Sequence, residues 1–516
     1  MTTDKMKKLA LAVSLGLSGI SPTVSAQGLL VRAMQVAQDH LGQALIFPYY
    51  TVQNGWMTLF GVTNTSNQIV AVKVRFRESY NSRDVMDFNI ILSPQDVWTG
   101  WVAETGDGPT IFSEDNTCTV GAIPATGVPF PTPVSFVDSA ADGGPATVAR
   151  MNEGYVEMIM MGSADPATLA TTALARGAIH SASGAPAGCA ALSSAFQNPA
   201  LLPQLRSEFR YYGAGAADGS VGNPLMGTFS LVNGAEGYST AGKPVTLANF
   251  SNTAALGGNL VTLQLSQVDA GNFYDSWHEP SLNAASGAIA RLAPDFLIFG
   301  IGGPSGADAV SFLLLQSNVI NEWTRRTNPQ LGWTTATDWV ITFPTKNFYV
   351  DNQYSNEFAG MNEGRGNGVA TGSGPISTAP FAQSFTDSSA TPVVARGMSC
   401  DSISFQVYNR EEVRATGSAF SPGATPRLCY EANVLTFGGS NILNSAIPAS
   451  INSLSGVYGW ANVAFSVTAG LPAIGFAITS RDDANSALLS EAGLVEHSYS
   501  LIVRGMGESA PLPGGN

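Results

Sequence analysis

The sequence predicts a mainly β protein, built as two antiparallel β-sandwich-type domains with a few short helices in the connections. Three observations carry that expectation. Short segments of alternating apolar residues recur along most of the 516 residues. Turn-forming groups such as Asn64-Thr65-Ser66-Asn67 and Ser93-Pro94 punctuate them. Charged residues make up only 12% of the chain while small polar residues abound, and an apolar content of 44% excludes disorder.

Residues 1–26 are expected to be a signal peptide. Lys5, Lys7 and Lys8 precede a short apolar run at 9–20, and Val24-Ser25-Ala26 supplies the small residues of a cleavage site. No later run reaches the roughly 18 apolar residues of a membrane helix. Two domains are expected beyond the leader, at 27–215 and 216–516, with the small-residue stretch 213–224 as linker. The second is divisible near the Gly- and Ser-rich loop at 364–380. No repeat of fixed period is present, which disfavours a solenoid or propeller.

In chain order, strands are expected over 56–62, 70–77, 88–92, 156–160, 226–232, 260–265, 296–301, 311–315, 339–343, 403–408 and 464–467. Helices are expected over 29–41 and 485–496. A third is expected in DPATLATTALARG, where Asp165 and Pro166 form an N-terminal cap and Gly177 a stop. Trp339 belongs to a core strand face, and Trp98 and Trp101 close the core of the first domain.

The stretch AVKVRFRESYNSRDVMDF, at 71–88, stands apart. It holds Lys73, Arg75, Arg77 and Arg83, whereas the whole chain has only 24 basic residues. Val70, Val72, Val74 and Phe76 share one strand face and the basic residues share the other. Pairing Phe76 with Phe88 in a hairpin sets Arg77 opposite Asp87 and Arg75 opposite Asn89, with a nine-residue loop at 78–86. The expected result is a solvated charged face with a cross-strand ion pair. Arg83, in the loop, is left free to meet something else. The competing reading is a binding strip for a polyanion.

Without the leader's three lysines and Asp4, 21 basic and 37 acidic residues remain, a net charge of −16. That negative field disfavours nucleic acid and anionic lipid as partners. Four cysteines in an exported chain read as disulfides, and Cys118–Cys189 with Cys400–Cys429 keeps each pair within one domain. No two have the spacing of a zinc site.

No catalytic residues emerge. Asp275, Trp277, His278 and Glu279, in NFYDSWHEP, form the densest cluster that could bind a ligand, although Pro280 argues for a surface loop. Trp333 is a further candidate, as a sugar-stacking residue beside Trp339. His180 sits near Ser181 and Ser183 without the turn of a serine hydrolase. His40 falls in the expected helix at 29–41, and His497 directly follows the one at 485–496. No cofactor is implied. Glu114-Asp115 and Asp482-Asp483 are acidic turns that could take calcium, but neither shows an EF-hand ladder.

Residues 47–101 resemble bacterial secreted immunoglobulin-like β-sandwich surface proteins, and the rest of the chain does so more loosely. The resemblance implies architecture only, because fold does not carry function. The functional expectation is an exported, non-enzymatic cell-surface or extracellular protein, structural or adhesive, such as a subunit of an appendage or layer. The alternative is a carbohydrate-binding or carbohydrate-active secreted protein. Its partner would be another copy of the chain or a glycan or protein of the cell surface. The segment 27–44 could be donated to a neighbouring subunit. Periplasm, cell surface and extracellular medium all fit.

Overall fold

The computed structural model describes residues 35–121, 123–132, 144–196, 198, 200–209, 222–250, 280–281, 290–291, 306–328, 330, 332–350, 381, 399–414, 426–452, 454–465, 470–483 and 490–501. The fold is mainly β, in sandwich-type pairs of predominantly antiparallel sheets.

The first sandwich uses β1 (Gln35–Val36), β2 (Ala44–Thr51), β3 (Trp56–Asn64), β4 (Ile69–Glu78), β5 (Asp84–Leu92), β6 (Val97–Thr105), β7 (Gly108–Phe112), β8 (Cys118–Val120), β9 (Val128–Pro129), β10 (Glu153–Ala164), β11 (Leu225–Asn233), β12 (Tyr238–Gly242) and β13 (Val245–Ala248). One sheet runs β1-β13-β2-β10-β4-β5-β8 and the facing one β12-β11-β3-β6-β7-β9. Phe60 of β3 meets Phe47 of β2 and Phe76 of β4 edge-on, at 5.4 and 5.5 Å, across the gap between them. Because β11 pairs with β3 and β13 with β2, the strands that follow the expected boundary at 215/216 complete this first sandwich, which runs through Ala248.

A two-residue ladder joins β14 (Pro280–Ser281) and β15 (Ala290–Arg291). The second sandwich uses β16 (Leu315–Thr324), β17 (Thr327–Asn328), β18 (Trp333–Thr342), β19 (Asp401–Asn409), β20 (Arg427–Leu428), β21 (Ala432–Phe437), β22 (Pro448–Ile451), β23 (Tyr458–Phe465), β24 (Leu471–Pro472), β25 (Ile474–Asp483), β26 (Glu491–Glu496) and β27 (Ser498–Leu501). Its sheets run β20-β19-β23-β16-β24, with β27 also on β16, and β22-β21-β18-β25-β26, with β17 on β18. Trp323 stacks on Phe437 between them, and Trp339 is fully buried beside it.

One hydrophobic core runs through both sandwiches. Phe229 packs on Phe476, the indole N–H of Trp56 donates to the carbonyl of Ile442, and Thr342 Oγ1 donates to the carbonyl of Pro48. A second cluster lies on the outer side of the first sandwich. There Ile69, Ala71, Ile91 and Met161 are covered by α1 (Cys189–Phe196), α2 (Leu202–Glu208) and a 3-10 turn at Leu174–Ala178.

Both disulfides form as expected, Cys118–Cys189 and Cys400–Cys429. Several local expectations fail. Residues 311–315 fall mostly in α3 (Gly306–Leu314), because Val310 and Leu314, four residues apart, share a buried helical face. The described part of 29–41 is strand β1 and a turn in which Asp39 accepts the N–H of Leu41. Residues 491–496 are β26, paired along their length with β25. Asp165 caps a turn at Ala167, and the helix expected after it shrinks to the 3-10 turn. Trp101, three residues from the buried Trp98, points to the opposite face and stacks, partly exposed, on Phe112. The strands expected at 260–265 and 296–301 lie outside the described residues.

The basic strip is the largest correction. β4 and β5 do pair as a hairpin with the expected faces, but Val74 meets Phe88, Arg75 meets Asp87 and Lys73 meets Asn89. The register is two residues tighter than expected. The charged face is not solvated: Lys73, Arg75, Arg77 and Arg83 are 2%, 0%, 0% and 1% exposed. Strand β4 lies inside its sheet between β10 and β5, and all its residues are buried, so both its faces are covered as well.

Candidate functional site

The buried charges of the first sandwich are satisfied from within, as interior charges must be. Asp87 reaches Lys73 Nζ at 3.0 Å, and Glu157 reaches Arg77 Nε at 3.0 Å. Glu78 accepts Arg150 through both carboxylate oxygens, at 3.0 and 3.1 Å. The backbone N–H of Arg83, the residue expected to be free, donates to Glu78 Oε1. The hairpin tip then docks on the second sandwich, where the carbonyl of Ser79 accepts the N–H groups of Glu431 and Ala432. These residues form a structural seam rather than an open binding strip.

That seam holds three carboxyl groups lifted by burial. Glu153 and Glu431 are raised, and Asp338 is pushed from 3.8 to about 6. Asp338 Oδ1 lies 2.6 Å from Ser440 Oγ, which is also 2.7 Å from the carbonyl of Thr337. One hydroxyl proton serves only one of these acceptors. A protonated Asp338 removes the conflict by donating to Ser440, while its other oxygen accepts the N–H of Leu443. Its folded pKa being raised, its contribution to stability is complete below its ordinary pKa and lost as pH rises through about 6. His497 opposes it. Desolvation lowers its ring to about 4. Nε2–H donates to the carbonyl of Val340 while Nδ1 accepts Asn321, so its contribution is lost as pH falls through about 4. Asp338→Asn, which mimics the neutral acid, should stabilise the protein at pH 8 by on the order of 3 kcal/mol, with the gain vanishing near pH 4. Chemical denaturation of variant and parent across that range reads this directly, and a variant less stable at pH 8 contradicts it.

The ligand candidates from sequence fare unevenly. Asp275, Trp277, His278 and Glu279 lie outside the described residues. Trp333 is partly exposed at the start of β18, where Arg326 and Arg481 stand over its ring at 5.5 and 5.6 Å. His180 Nδ1 lies 3.4 Å from Ser93 Oγ and 4.0 Å from Asp96 Oδ1. Both partners meet the same ring nitrogen, which is not the relay of a nucleophilic triad. Ser181 and Ser183 bond each other. Asp115 is spent on Thr99 and Thr117, and Asp482 accepts the hydroxyl of Tyr238. Among the described residues no group of three or more His, Cys, Asp or Glu is placed to hold a metal ion.

A cleft that gathers binding chemistry lies on the second sandwich, at residues that sequence reasoning passed over. Along β23 the residues Ala461, Val463 and Phe465 point into the core. Tyr458, Trp460 and Asn462 therefore share the outer face. The register sets Trp460 opposite Tyr408 of β19 on one side and Glu322 of β16 on the other. The rings of Tyr408 and Trp460 stack 4.6 Å apart at 16°. Trp460 is nevertheless 41% exposed. Gly459 makes this row possible, since a Cβ there would stand 1.8 Å from the carbonyl oxygen of Tyr408.

A cleft of about 400 Å³ opens beside Trp460. Among the described residues Glu322 is the single carboxylate lining it, and Thr324, Thr337 and Thr479 add hydroxyls to its walls. Thr337 bonds both the backbone N–H of Thr324 and the hydroxyl of Thr479, which fixes the far wall. Trp323 also lines the cleft, and its indole N–H has no acceptor. Arg410 stands over the ring of Tyr458 at 5.0 Å, bonds its hydroxyl and pairs with Glu411 at 3.1 Å. An exposed aromatic face beside a lone carboxylate can hold an amphipathic ligand. Among the described residues lining it there is no second carboxyl group to form the pair on which most glycoside hydrolysis relies. No described helix is long and apolar enough to cross a membrane. No protein family, no curated protein and no solved structure matches this chain.

Proposed function

We propose that this chain is an exported, non-enzymatic adhesive protein of the immunoglobulin-like sandwich kind, which binds carbohydrate through the cleft at Trp460. The observation that carries the reading is the row Tyr408–Trp460–Glu322, an aromatic pair and a carboxylate set side by side on three adjacent strands of an outward sheet face. Sugars present an apolar C–H face and a rim of hydroxyls, and this row offers a partner to each. Export is supported by the leader-like first 26 residues and by two disulfides, which persist in oxidising compartments.

Trp460 contributes little to the core, so Trp460→Ala should fold normally. It should lose at least about 10-fold in glycan affinity, a loss of roughly 1.4 kcal/mol. Binding of the purified protein to immobilised glycans, parent against variant, makes the comparison. Equal binding by a folded Trp460→Ala variant would sink the proposal. Turnover of a glycan by the parent would sink its non-enzymatic part.

A further inference from the structure

We infer that the Trp460 cleft takes a neutral pyranose residue with adjacent free hydroxyls, and that Glu322 is the residue that sets this specificity. The inference rests on the carbohydrate reading above and names the sugar class. Glu322 is exposed beside Trp460, and no described residue donates a hydrogen bond to its carboxylate. An ionised carboxylate only accepts, and its two oxygens are spaced to take two neighbouring hydroxyls at once. A sugar whose C–H face lies on Trp460 brings such a pair of hydroxyls to the ring's edge, where the register has put Glu322.

Charge excludes the acidic alternatives. Among the described residues Arg410 is the one cation lining the cleft, and its guanidinium pairs with Glu411, bonds the Tyr458 hydroxyl and stands over the Tyr458 ring. A uronic, sialic or sulfated sugar would therefore set its anion against Glu322 with no released cation to offset the repulsion. The whole chain, at a net charge of −14, adds to that field. Thr337 is buried and bonded within the wall, but the partly exposed hydroxyls of Thr324 and Thr479 suit a neutral ligand, since a hydroxyl can give or take a hydrogen bond.

The test compares parent, Glu322→Gln, Glu322→Lys and Trp460→Ala on matched neutral and acidic oligosaccharides at low salt, by calorimetry. The parent should bind neutral sugars and bind acidic ones at least ~10-fold more weakly. Glu322→Gln should lose ~10-fold or more on neutral sugars, because its amide nitrogen donates where the carboxylate accepted. Glu322→Lys should reverse the order and favour acidic sugars. A parent that prefers acidic sugars overturns the assignment, as does Glu322→Gln binding neutral sugars as well as the parent. Carbohydrate binding itself survives either result so long as Trp460→Ala abolishes it. Failure of every sugar to bind the parent, or full binding by Trp460→Ala, brings down the underlying reading instead.

Discussion

Replacing Glu78 by Gln should destabilise the protein by about 3–5 kcal/mol, the range for removing one member of a buried ion pair. Few side chains in the molecule are asked to accept as much. Oε1 takes the N–H groups of Asn81 and Arg83 together with Arg150 Nη2, and Oε2 takes the N–H of Tyr80 and Arg150 Nε. Both Glu78 and Arg150 are fully enclosed. An amide keeps one acceptor and points a donor at the rest. The hairpin tip is also the surface on which Glu431 and Ala432 dock, so the loss should reach the second sandwich. Urea titration followed by circular dichroism measures the shift. A midpoint within about 0.5 kcal/mol of the parent, the scale of an ordinary surface change, would show that the tip does not depend on this carboxylate.

Opening the Cys118–Cys189 bridge should cost about 4 kcal/mol in the chain-entropy account, since it closes a loop of 71 residues. The position makes the loss directional. Cys118 begins the edge strand β8 and Cys189 begins α1, so the bond staples the helical cover onto the outer face of the first sheet. The loop also contains β10, a strand central to that sheet. The double variant Cys118→Ala with Cys189→Ala should show earlier protease cleavage in residues 174–209 than in the strands, and a lower denaturation midpoint. Uniform resistance to protease, with an unchanged midpoint, would mean that packing alone holds the cover.

What the sequence disclosed was periodicity; what it withheld was burial. Alternation over 70–77 identified the strand, its two faces and its partner. A register error of two residues left every side chain on its proper face, because the period of a strand is also two. The same alternation fits a solvated charged face and a buried one alike. Asp87, on the hairpin partner, neutralises Lys73 and Arg75, but the acid that meets Arg77, Glu157, comes from a strand 80 residues further along the chain. Glu78 was legible as an acid in a loop near Arg83, but its guanidinium partner, Arg150, lies 72 residues on. The disulfides were legible because compartment and count left few pairings. The Trp460 cleft was not, since Glu322, Tyr408 and Trp460 are scattered through the second half of the chain. The one local clue was large aromatics at 458 and 460 on the polar face of an alternating strand.

The seam between the sandwiches also sets an order of events in time. Glu153, in the middle of the first sheet, accepts the N–H of Ala446, 293 residues later, and Trp56 waits for a carbonyl 386 residues away. Contacts of such separation charge their loop-closure entropy before they return any stability. An emerging chain must therefore carry its first sandwich with buried-type polar groups still facing water until the last third of the sequence arrives. In this fold the seam between the sandwiches closes only once the last third of the chain is present.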